Sequence, residues 1–247
     1  MTYIIINKIN YLFLVHFLLI SMCEVYHEPT QSKTSQKMIE KAPNEKKNDV
    51  YPIKSVVVVI SEFSPEEIII GSGTIISSDG HILTNYHVVD LKKSRQVHHY
   101  VAINLEHPEQ APDTIYECSL VRFNDRYDLA LLKIIDYSAC KMLTPLKLGD
   151  SNRLNLGDEI VILGFPTAGA STITLTKGSI SGWLNDGDIQ NGWIKTDAEV
   201  GRGNSGGAAV NKYGELIGVP TSVSIEGLGK IGVIRPINIV KRILSID

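Results

Sequence analysis

Short apolar runs separated by turn residues fill the chain from residue 51 onward, and this pattern limits the folds that are open to it. Runs rich in Val, Ile, Leu and Tyr at this spacing are typical of strands in an all-β barrel or sandwich. They fall at residues 55–60, 67–70, 73–76, 81–84, 100–105, 115–123 and 129–135, then at 159–163, 173–181, 192–195, 208–210, 215–219 and 231–234. Residues 211–214 (Asn-Lys-Tyr-Gly) predict a hairpin turn. Residues 237–244 predict a short C-terminal helix.

A serine surrounded by glycines stands out in the second half, in the stretch Gly-Arg-Gly-Asn-Ser-Gly-Gly-Ala at residues 201–208. Glycines permit a tight turn in which the backbone N–H groups of Gly203, Asn204 and Ser205 converge on a developing oxyanion. A serine hydroxyl is a poor nucleophile near neutral pH, so Ser205 needs a base and an orienting acid elsewhere in the chain. The alternative interpretation is a glycine-rich turn without a catalytic role.

His87 and Asp128 are the candidates for the base and the acid. A histidine, with a reference pKa of about 6.5, suits a group that takes a proton from Ser205 and returns it to a leaving amine. Asp128 leads directly into an apolar run, whereas other acids of the region lie in turns, and His98 and His99 lie in a polar stretch that predicts exposed surface. The chain order His, Asp, Ser, with only the serine in the second half, predicts two barrels, at residues 51–145 and 146–247, with a cleft between them.

Five sequence motifs occur in a fixed order along the chain, and together they are a much more specific signal than any one of them. They are residues 71–76 (Gly-Ser-Gly-Thr-Ile-Ile), 80–89 (Gly-His-Ile-Leu-Thr-Asn-Tyr-His-Val-Val), 128–133 (Asp-Leu-Ala-Leu-Leu-Lys), 148–151 (Leu-Gly-Asp-Ser), and Thr-Asp-Ala at 196–198 ahead of Gly-Asn-Ser-Gly-Gly at 203–207. Residues 50–246 thereby resemble the protease domain of the HtrA-type trypsin-like serine proteases. The resemblance implies a chymotrypsin-like double β-barrel and serine endopeptidase activity on proteins or peptides through an acyl-enzyme. It also implies an extracytoplasmic location, an assembly of identical chains such as the trimers of similar proteins, and no metal or organic cofactor.

The sequence departs from the resemblance where substrate specificity is determined. Glu199 stands six residues before the nucleophile, where a small apolar residue is common, and a carboxylate at the base of the S1 pocket would favour Lys or Arg at P1. The alternative is that Glu199 pairs with Arg202 at the surface. We expect the backbone of Thr221 to pair with substrate in β fashion and Ile231 to wall the pocket. The chain ends at Asp247 without a PDZ domain, so regulation through such a domain is not carried over.

The N-terminal 50 residues differ in character from the rest. Residues 1–23 contain a mostly apolar run at 11–22 behind Lys8, which fits a signal peptide. An uncleaved membrane anchor and a degraded lipoprotein signal ending at Cys23 are the alternatives. Residues 24–50 are rich in Glu, Lys, Gln, Ser and Asn, and such a segment predicts a disordered linker. We therefore expect an exported protein, either secreted, periplasmic or tethered to the outer face of a membrane, with the protease domain at residues 51–247.

Composition excludes several other classes of function. A formal net charge of -3 and a pI of about 6.2 provide no basic surface for nucleic acid. Three cysteines without a C-x-x-C pair argue against a zinc ribbon or a dithiol redox centre, and the pairing of Cys118 with Cys140 is left open. The chief alternative function is a catalytically silent pseudoprotease that binds extended peptides, with residues 200–204 in a conformation that spoils the oxyanion site. A cysteine nucleophile is excluded because position 205 is serine.

Overall fold

The structure, a computed structural model, describes residues 51–64, 66–89, 97–136, 142–166, 172–187, 189–201, 203–225 and 229–246, with only the backbone at 222–225 and 229–231. Within these residues the chain forms twelve strands, which close into two six-stranded antiparallel barrels. The predicted all-β fold with two barrels is therefore confirmed. The predicted signal peptide, anchor and linker lie outside the described residues. No helix in the described part of the chain is long and apolar enough to cross a membrane.

The first barrel contains β1 to β6, closed in the spatial order β1, β2, β3, β6, β5, β4. The strands are β1 (Val56–Ser64), β2 (Glu67–Ile75), β3 (His81–Thr84), β4 (His98–Ile103), β5 (Thr114–Asn124) and β6 (Leu129–Ile134). The two runs predicted at residues 67–70 and 73–76 form the single strand β2. Gly73 lies inside this strand, at a position where a Cβ atom would come within 2.7 Å of both Ile82 and Val59. The glycine therefore lets neighbouring side chains fill the barrel interior.

The second barrel contains β7 to β12, closed in the order β10, β11, β12, β9, β8, β7. The strands are β7 (Glu159–Gly164), β8 (Thr174–Asp186), β9 (Ile189–Thr196), β10 (Ala208–Asn211), β11 (Leu216–Ile225) and β12 (Gly229–Pro236). Strands β8 and β9 extend beyond the predicted runs because their outer ends are partly exposed and carry polar residues, which an apolar pattern does not detect. The hairpin turn at residues 211–214 is confirmed, with Gly214 at φ 73° and its N–H bonded to the Asn211 carbonyl at 2.9 Å.

Two helices complete the fold, α1 (Tyr86–Val89) and α2 (Ile237–Leu244), with single 3-10 turns at Ile53–Ser55 and Ser151–Arg153. Helix α2 has the bounds that the sequence predicts, and it buries Ile237, Val240 and Leu244, a spacing that places them on one helical face. It ends at Ser245, in the left-handed conformation at φ 48°. Arg122 of β5 donates to the carbonyl of Leu244 and so joins the helix C-terminus to the first barrel.

Each barrel has its own core of aliphatic side chains. The first core also encloses polar groups in neighbouring strands, where Ser61, His99 and Cys118 are paired across β1, β4 and β5. His99 is only 4% exposed, and its Nδ1 lies 2.9 Å from Ser61 Oγ. The expectation that His99 lies on exposed surface is therefore wrong, because β4 turns its side chain inward. Cys140, the candidate partner of Cys118, lies outside the described residues.

Burial of His99 predicts a stability that depends on pH. Burial lowers the pKa of His99 from 6.5 to about 4, so between these values the unfolded chain binds a proton that the folded chain does not. Stability is therefore highest above pH 6.5, falls with pH through this window and has lost the whole contribution below pH 4. We expect a loss of about 2 kcal/mol from pH 7 to pH 5 and about 3 kcal/mol by pH 4.

The matched control for this prediction is His99→Asn, which keeps a hydrogen-bonding group near Ser61 but does not titrate. Urea unfolding of both proteins at pH 7, 5 and 4 measures the difference, and the loss attributed to His99 should be absent in the variant. Glu62, whose pKa is raised by burial, is present in both proteins and cancels in the comparison. Equal pH dependence of the two proteins would contradict the prediction.

Candidate active site

His87 and Asp128 meet because β3 and β6 are neighbours in the first barrel. The two strands are antiparallel, with Thr84 opposite Ala130, so the residues that follow Thr84 lie beside those that precede Ala130. The carboxylate of Asp128 accepts the backbone N–H of His87 at 2.9 Å and contacts His87 Nδ1 at 3.0 Å through Oδ1 and 2.9 Å through Oδ2. This carboxylate therefore fixes both the position of α1 and the plane of the imidazole.

The contact with Asp128 also assigns the tautomer of His87. A carboxylate only accepts hydrogen bonds, so Nδ1 carries the proton that points at Asp128. The other ring nitrogen, Nε2, is then unprotonated in the neutral ring and can accept a proton. The His87 side chain is 50% exposed, so substrate and water can reach it. The pair has the arrangement of a general base and its orienting acid.

Asp128 itself is held in a left-handed backbone conformation, with φ 54°. Its carbonyl accepts Nδ2 of the buried Asn85 at 2.8 Å, and its N–H donates to the Asp125 carbonyl at 3.3 Å. Thr221 Oγ1 of the second barrel reaches Asp128 Oδ2 at 3.4 Å. Sequence reasoning missed the role of Asn85, although its position between an apolar strand and His87 was a signal that its amide is buried and bonded.

The loop that carries Ser205 has two glycines in the left-handed region, Gly203 at φ 96° and Gly206 at φ 85°. The N–H of Asn204 donates to the Gly201 carbonyl at 3.2 Å, so it is engaged within the loop. No backbone hydrogen bond in the described part of the chain uses the N–H of Gly203 or Ser205. Of the three expected oxyanion donors, these two keep their N–H groups available.

This loop packs directly against the strands that lead to His87. The N–H of Ser72, in β2, donates to the Ser205 carbonyl at 3.0 Å. A Cβ atom at Gly206 would lie 2.3 Å from Ser72 O, 2.3 Å from Thr84 Oγ1 and 3.0 Å from the N–H nitrogen of Asn85. Gly206 of the second barrel thus meets Thr84, the last residue of β3 in the first, and Asn85, two residues before His87.

Asp197 anchors the beginning of the same loop to β8. Its Oδ1 accepts the backbone N–H of Ser179 at 2.5 Å, and its carboxylate also accepts Ser179 Oγ. These hydrogen bonds, with the backbone bond from Ser179 foremost, hold the pKa of Asp197 below its usual range. Asp197 belongs to the Thr-Asp-Ala motif of the sequence, and its observed contacts are structural.

A comparison with known protein families finds a family model that covers part of each barrel and most of the sequence motifs. The family model described as "Trypsin-like peptidase domain" matches residues 71–219, a range that includes His87, Asp128 and Ser205. The chain belongs to the trypsin-like peptidase family. The range also covers β3, β6 and the loop that carries Ser205, the elements on which the three candidate residues lie or which they adjoin.

Relatives of this trypsin-like peptidase identify its branch as HtrA-type. It is 33% identical over 222 residues to a "Probable periplasmic serine endoprotease DegP-like" of Buchnera aphidicola, covering 87% of this chain and 43% of that protein. It is 36% identical over 181 residues to "Periplasmic serine endoprotease DegP" of Escherichia coli K12, covering 71% of this chain and 35% of DegP. The chain thus spans less than half the length of these curated relatives.

Solved structures agree with this family. A serine endoprotease from Yersinia pestis superposes with a TM-score of 0.60 and 32% identity, covering 78% of this chain and 62% of that one. The structure of Deg5 superposes with a TM-score of 0.62 and 29% identity, covering 77% and 87%. The expected chymotrypsin-like double barrel of an HtrA-type peptidase is confirmed.

The residues expected to determine specificity in this trypsin-like peptidase are only partly brought together. Glu199 is exposed, and its carbonyl accepts Thr176 Oγ1 at 2.8 Å, while its candidate partner Arg202 lies outside the described residues. The Thr221 side chain is buried and faces Asp128. Ile231 pairs with Val223 in the ladder of β11 and β12, and its side chain is outside the described part.

Val200 is a neighbour of the specificity region that sequence reasoning missed. A Cβ atom at Gly232 of β12 would come within 2.7 Å of Val200 Cγ2, so the side chain of residue 200 lies against β12 next to Ile231. The signal in the sequence was a glycine inside an apolar run, which marks a close approach of another side chain. Among the residues that the structure describes, no group of three or more His, Cys, Asp or Glu is placed to hold a metal ion.

Proposed function

We propose that this chain is a serine endopeptidase that cleaves protein or peptide substrates through Ser205, His87 and Asp128, by way of an acyl-enzyme. The observation that carries the proposal is the double engagement of His87 by Asp128, which accepts both the backbone N–H and Nδ1 of the histidine. A carboxylate that only paired with a surface imidazole would not need to fix the backbone as well. The packing of the Ser205 loop against the end of β3 supports the same conclusion.

Each group has a defined part in the proposed reaction. Ser205 Oγ attacks the scissile carbonyl while His87 Nε2 takes its proton, and Asp128 stabilises the imidazolium that forms. The N–H groups of Gly203 and Ser205 bind the oxyanion, each contributing about 3 kcal/mol of transition-state stabilisation. His87 then protonates the leaving amine, and water releases the acyl group from Ser205 by the reverse sequence of proton transfers.

The proposals on location and assembly are supported by the relatives and the family resemblance rather than by the described residues. Both DegP-type relatives are named as periplasmic, and a signal peptide at residues 1–23 would export this chain to the same side of a membrane. We therefore propose an extracytoplasmic peptidase and, by the resemblance to trimeric members, an assembly of identical chains. Size-exclusion chromatography with light scattering on the full chain tests the assembly, and a single-chain mass would reject it.

Covalent labelling by a fluorophosphonate tests the catalytic proposal. The full chain should be labelled at Ser205, as located by peptide mass spectrometry, and Ser205→Ala should abolish labelling. Ser181→Ala, which removes an exposed serine of the same barrel, is the matched control and should label like the wild-type protein. Absence of labelling in the wild-type chain, together with retained binding of extended peptides, would favour the pseudoprotease instead.

We propose that Glu199 sets a preference for Lys or Arg at P1. Cleavage of a peptide library by Glu199→Gln should show this preference reduced by about tenfold, since a hydrogen bond to a charged group is worth about 1.5–3 kcal/mol. Glu159→Gln, at another exposed glutamate of the second barrel, is the control. An unchanged P1 profile in Glu199→Gln would remove Glu199 from the specificity site.

A further inference from the structure

Ser72 is a buried serine of the first barrel with hydrogen bonds to the nucleophile loop of the second. It lies within β2, and none of its surface is exposed (0%). Its Oγ donates to the Gly203 carbonyl at 2.6 Å and accepts the N–H of Phe165 at 2.8 Å. Its backbone N–H donates to the Ser205 carbonyl at 3.0 Å. One residue therefore binds both sides of Asn204.

The direction of the Ser72 hydroxyl is determined by its neighbours. The backbone N–H of Phe165 can only donate, so it occupies an acceptor site on Oγ. The carbonyl of Gly203 can only accept, so it takes the single hydroxyl proton. Phe165 follows β7, so this hydroxyl connects three segments: β2, the end of β7 and the nucleophile loop.

Two peptide groups of the loop are thereby fixed at both ends. The peptide between Gly203 and Asn204 has its oxygen on Ser72 Oγ and its N–H on the Gly201 carbonyl at 3.2 Å. The next fixed peptide, that following Ser205, has its oxygen on the Ser72 N–H and its own N–H on the Pro220 carbonyl at 3.1 Å. A planar peptide held at both ends cannot rotate.

Fixing these peptides leaves only the φ and ψ rotations of Gly203 and Ser205 to direct the N–H groups that precede them. The N–H groups of Gly203 and Ser205 are each joined through one Cα atom to a fixed peptide plane. Gly203 has φ 96°, and glycine can leave or enter that region at little cost. The conformation of Gly203 is therefore not maintained by its own sterics and depends on external contacts.

We propose that Ser72 is a positioning residue, which holds the N–H groups of Gly203 and Ser205 in the arrangement that binds the oxyanion. This inference rests on the proposed serine peptidase function and adds a residue outside the triad and its oxyanion site. Donors fixed in advance are effective because they need not reorganise as charge develops. Removing the hydroxyl releases the Gly203 carbonyl, and the loop then samples orientations in which the donors point elsewhere.

The test compares Ser72→Ala with the wild-type full chain on a peptide substrate selected from the library. We expect kcat to fall about 10- to 100-fold, less than the 10²- to 10³-fold loss for a deleted direct donor, with KM changed less than threefold. A boronic acid of the same peptide forms a tetrahedral adduct with Ser205. Its affinity should fall by the same factor as kcat, because it uses the oxyanion donors whereas ground-state binding does not.

Thr74→Val is the matched control. Thr74 is also in β2 and fully buried, and in the described part of the chain its hydroxyl has no hydrogen-bond partner. Valine has the same shape, so kcat and boronate affinity should stay within twofold of the wild type. Assays run at least 20 °C below the Tm of each variant separate loss of geometry from loss of fold. If Ser72→Ala does not fold, Ser72→Cys supplies a weaker donor. It should lower kcat and boronate affinity by one and the same factor relative to the wild type, and unchanged values of both would contradict the inference.

Three results would overturn the inference. The first is a folded Ser72→Ala protein with kcat within threefold of the wild type. The second is a Ser72→Ala protein whose affinity for the boronic acid falls by no larger a factor than 1/KM for the substrate. That result would indicate a general disturbance of the cleft rather than a loss of the oxyanion donors. The third is a wild-type chain that neither labels nor cleaves, which refutes the proposed function before any variant is compared and removes this inference with it.

Discussion

Replacing Asp128 by asparagine is expected to lower kcat for peptide cleavage by about 10⁴-fold, with little change in KM. The reason is the tautomer of His87. Oδ1 accepts the backbone N–H of His87, so the oxygen of an asparagine side chain must remain there. Its NH₂ group then takes the place of Oδ2, opposite Nδ1.

Replacing the acceptor Oδ2 by a donor NH₂ group changes which nitrogen of His87 is free to accept a proton. Nδ1 must now accept a hydrogen bond, which moves the ring proton to Nε2. A protonated Nε2 cannot take the proton of Ser205, so the first step fails although the shape of the site is retained. Single-turnover kinetics of Asp128→Asn on the library-selected peptide measure the effect.

Asp125→Asn is the matched control for this prediction, since Asp125 is another carboxylate of the same turn. It should retain kcat within a few-fold, because its contact with residue 128 is made by the backbone carbonyl. A loss in Asp128→Asn no larger than that in Asp125→Asn would show that the carboxylate does not orient the base.

Replacing Gly206 by alanine is expected to damage both stability and activity. Gly206 has φ 85°, and its Cβ would lie 2.3 Å from Ser72 O and Thr84 Oγ1. The left-handed conformation costs an alanine about 1–2 kcal/mol, and overpacking adds about 1–3 kcal/mol. Relief of the clash displaces the neighbouring Ser205, for which a loss in kcat of about 10²-fold is expected.

Gly157→Ala separates the two causes. Gly157 also has φ 85°, yet a Cβ there would meet nothing within 4 Å. Gly157→Ala should therefore show only the cost of the left-handed backbone. Gly206→Ala carries the overpacking cost in addition, about 2 kcal/mol, and should melt about 5 °C lower than Gly157→Ala, because each kcal/mol lowers the Tm of a chain of this size by about 2–4 °C. Equal Tm values for the two variants in differential scanning calorimetry would contradict the crowding argument.

The fold and the main candidate residues could be predicted from the sequence because both depend on strong local signals. Strands of a closed barrel alternate with turns, and helix α2 buries one face, so apolar spacing marks them. The candidates His87, Asp128 and Ser205 are polar residues at the ends of apolar runs, where a strand delivers a side chain to the surface. Their chain order then indicated which half contributes which group.

The supporting contacts could not be predicted in the same way, because they join residues far apart in the chain. Ser72 contacts residues more than 90 positions away, and a buried serine in an apolar strand looks like an ordinary small residue. His99 was misplaced because a polar stretch leads into β4, and only the register with Ser61 turns it inward. The engagement of the Asn204 N–H likewise depends on the path of the loop rather than on its composition.

Because Ser72 holds the loop at residues 203–205 by hydrogen bonds, the arrangement of the candidate site depends on both barrels being folded at the same time. The loop that carries Ser205 belongs to the second barrel, whereas Ser72 and the candidate base and acid, His87 and Asp128, belong to the first. A chain with only one barrel folded, whether during synthesis or after partial unfolding, would hold the three reactive groups apart. Under the proposed function, such a chain would not cleave peptides until both barrels had folded.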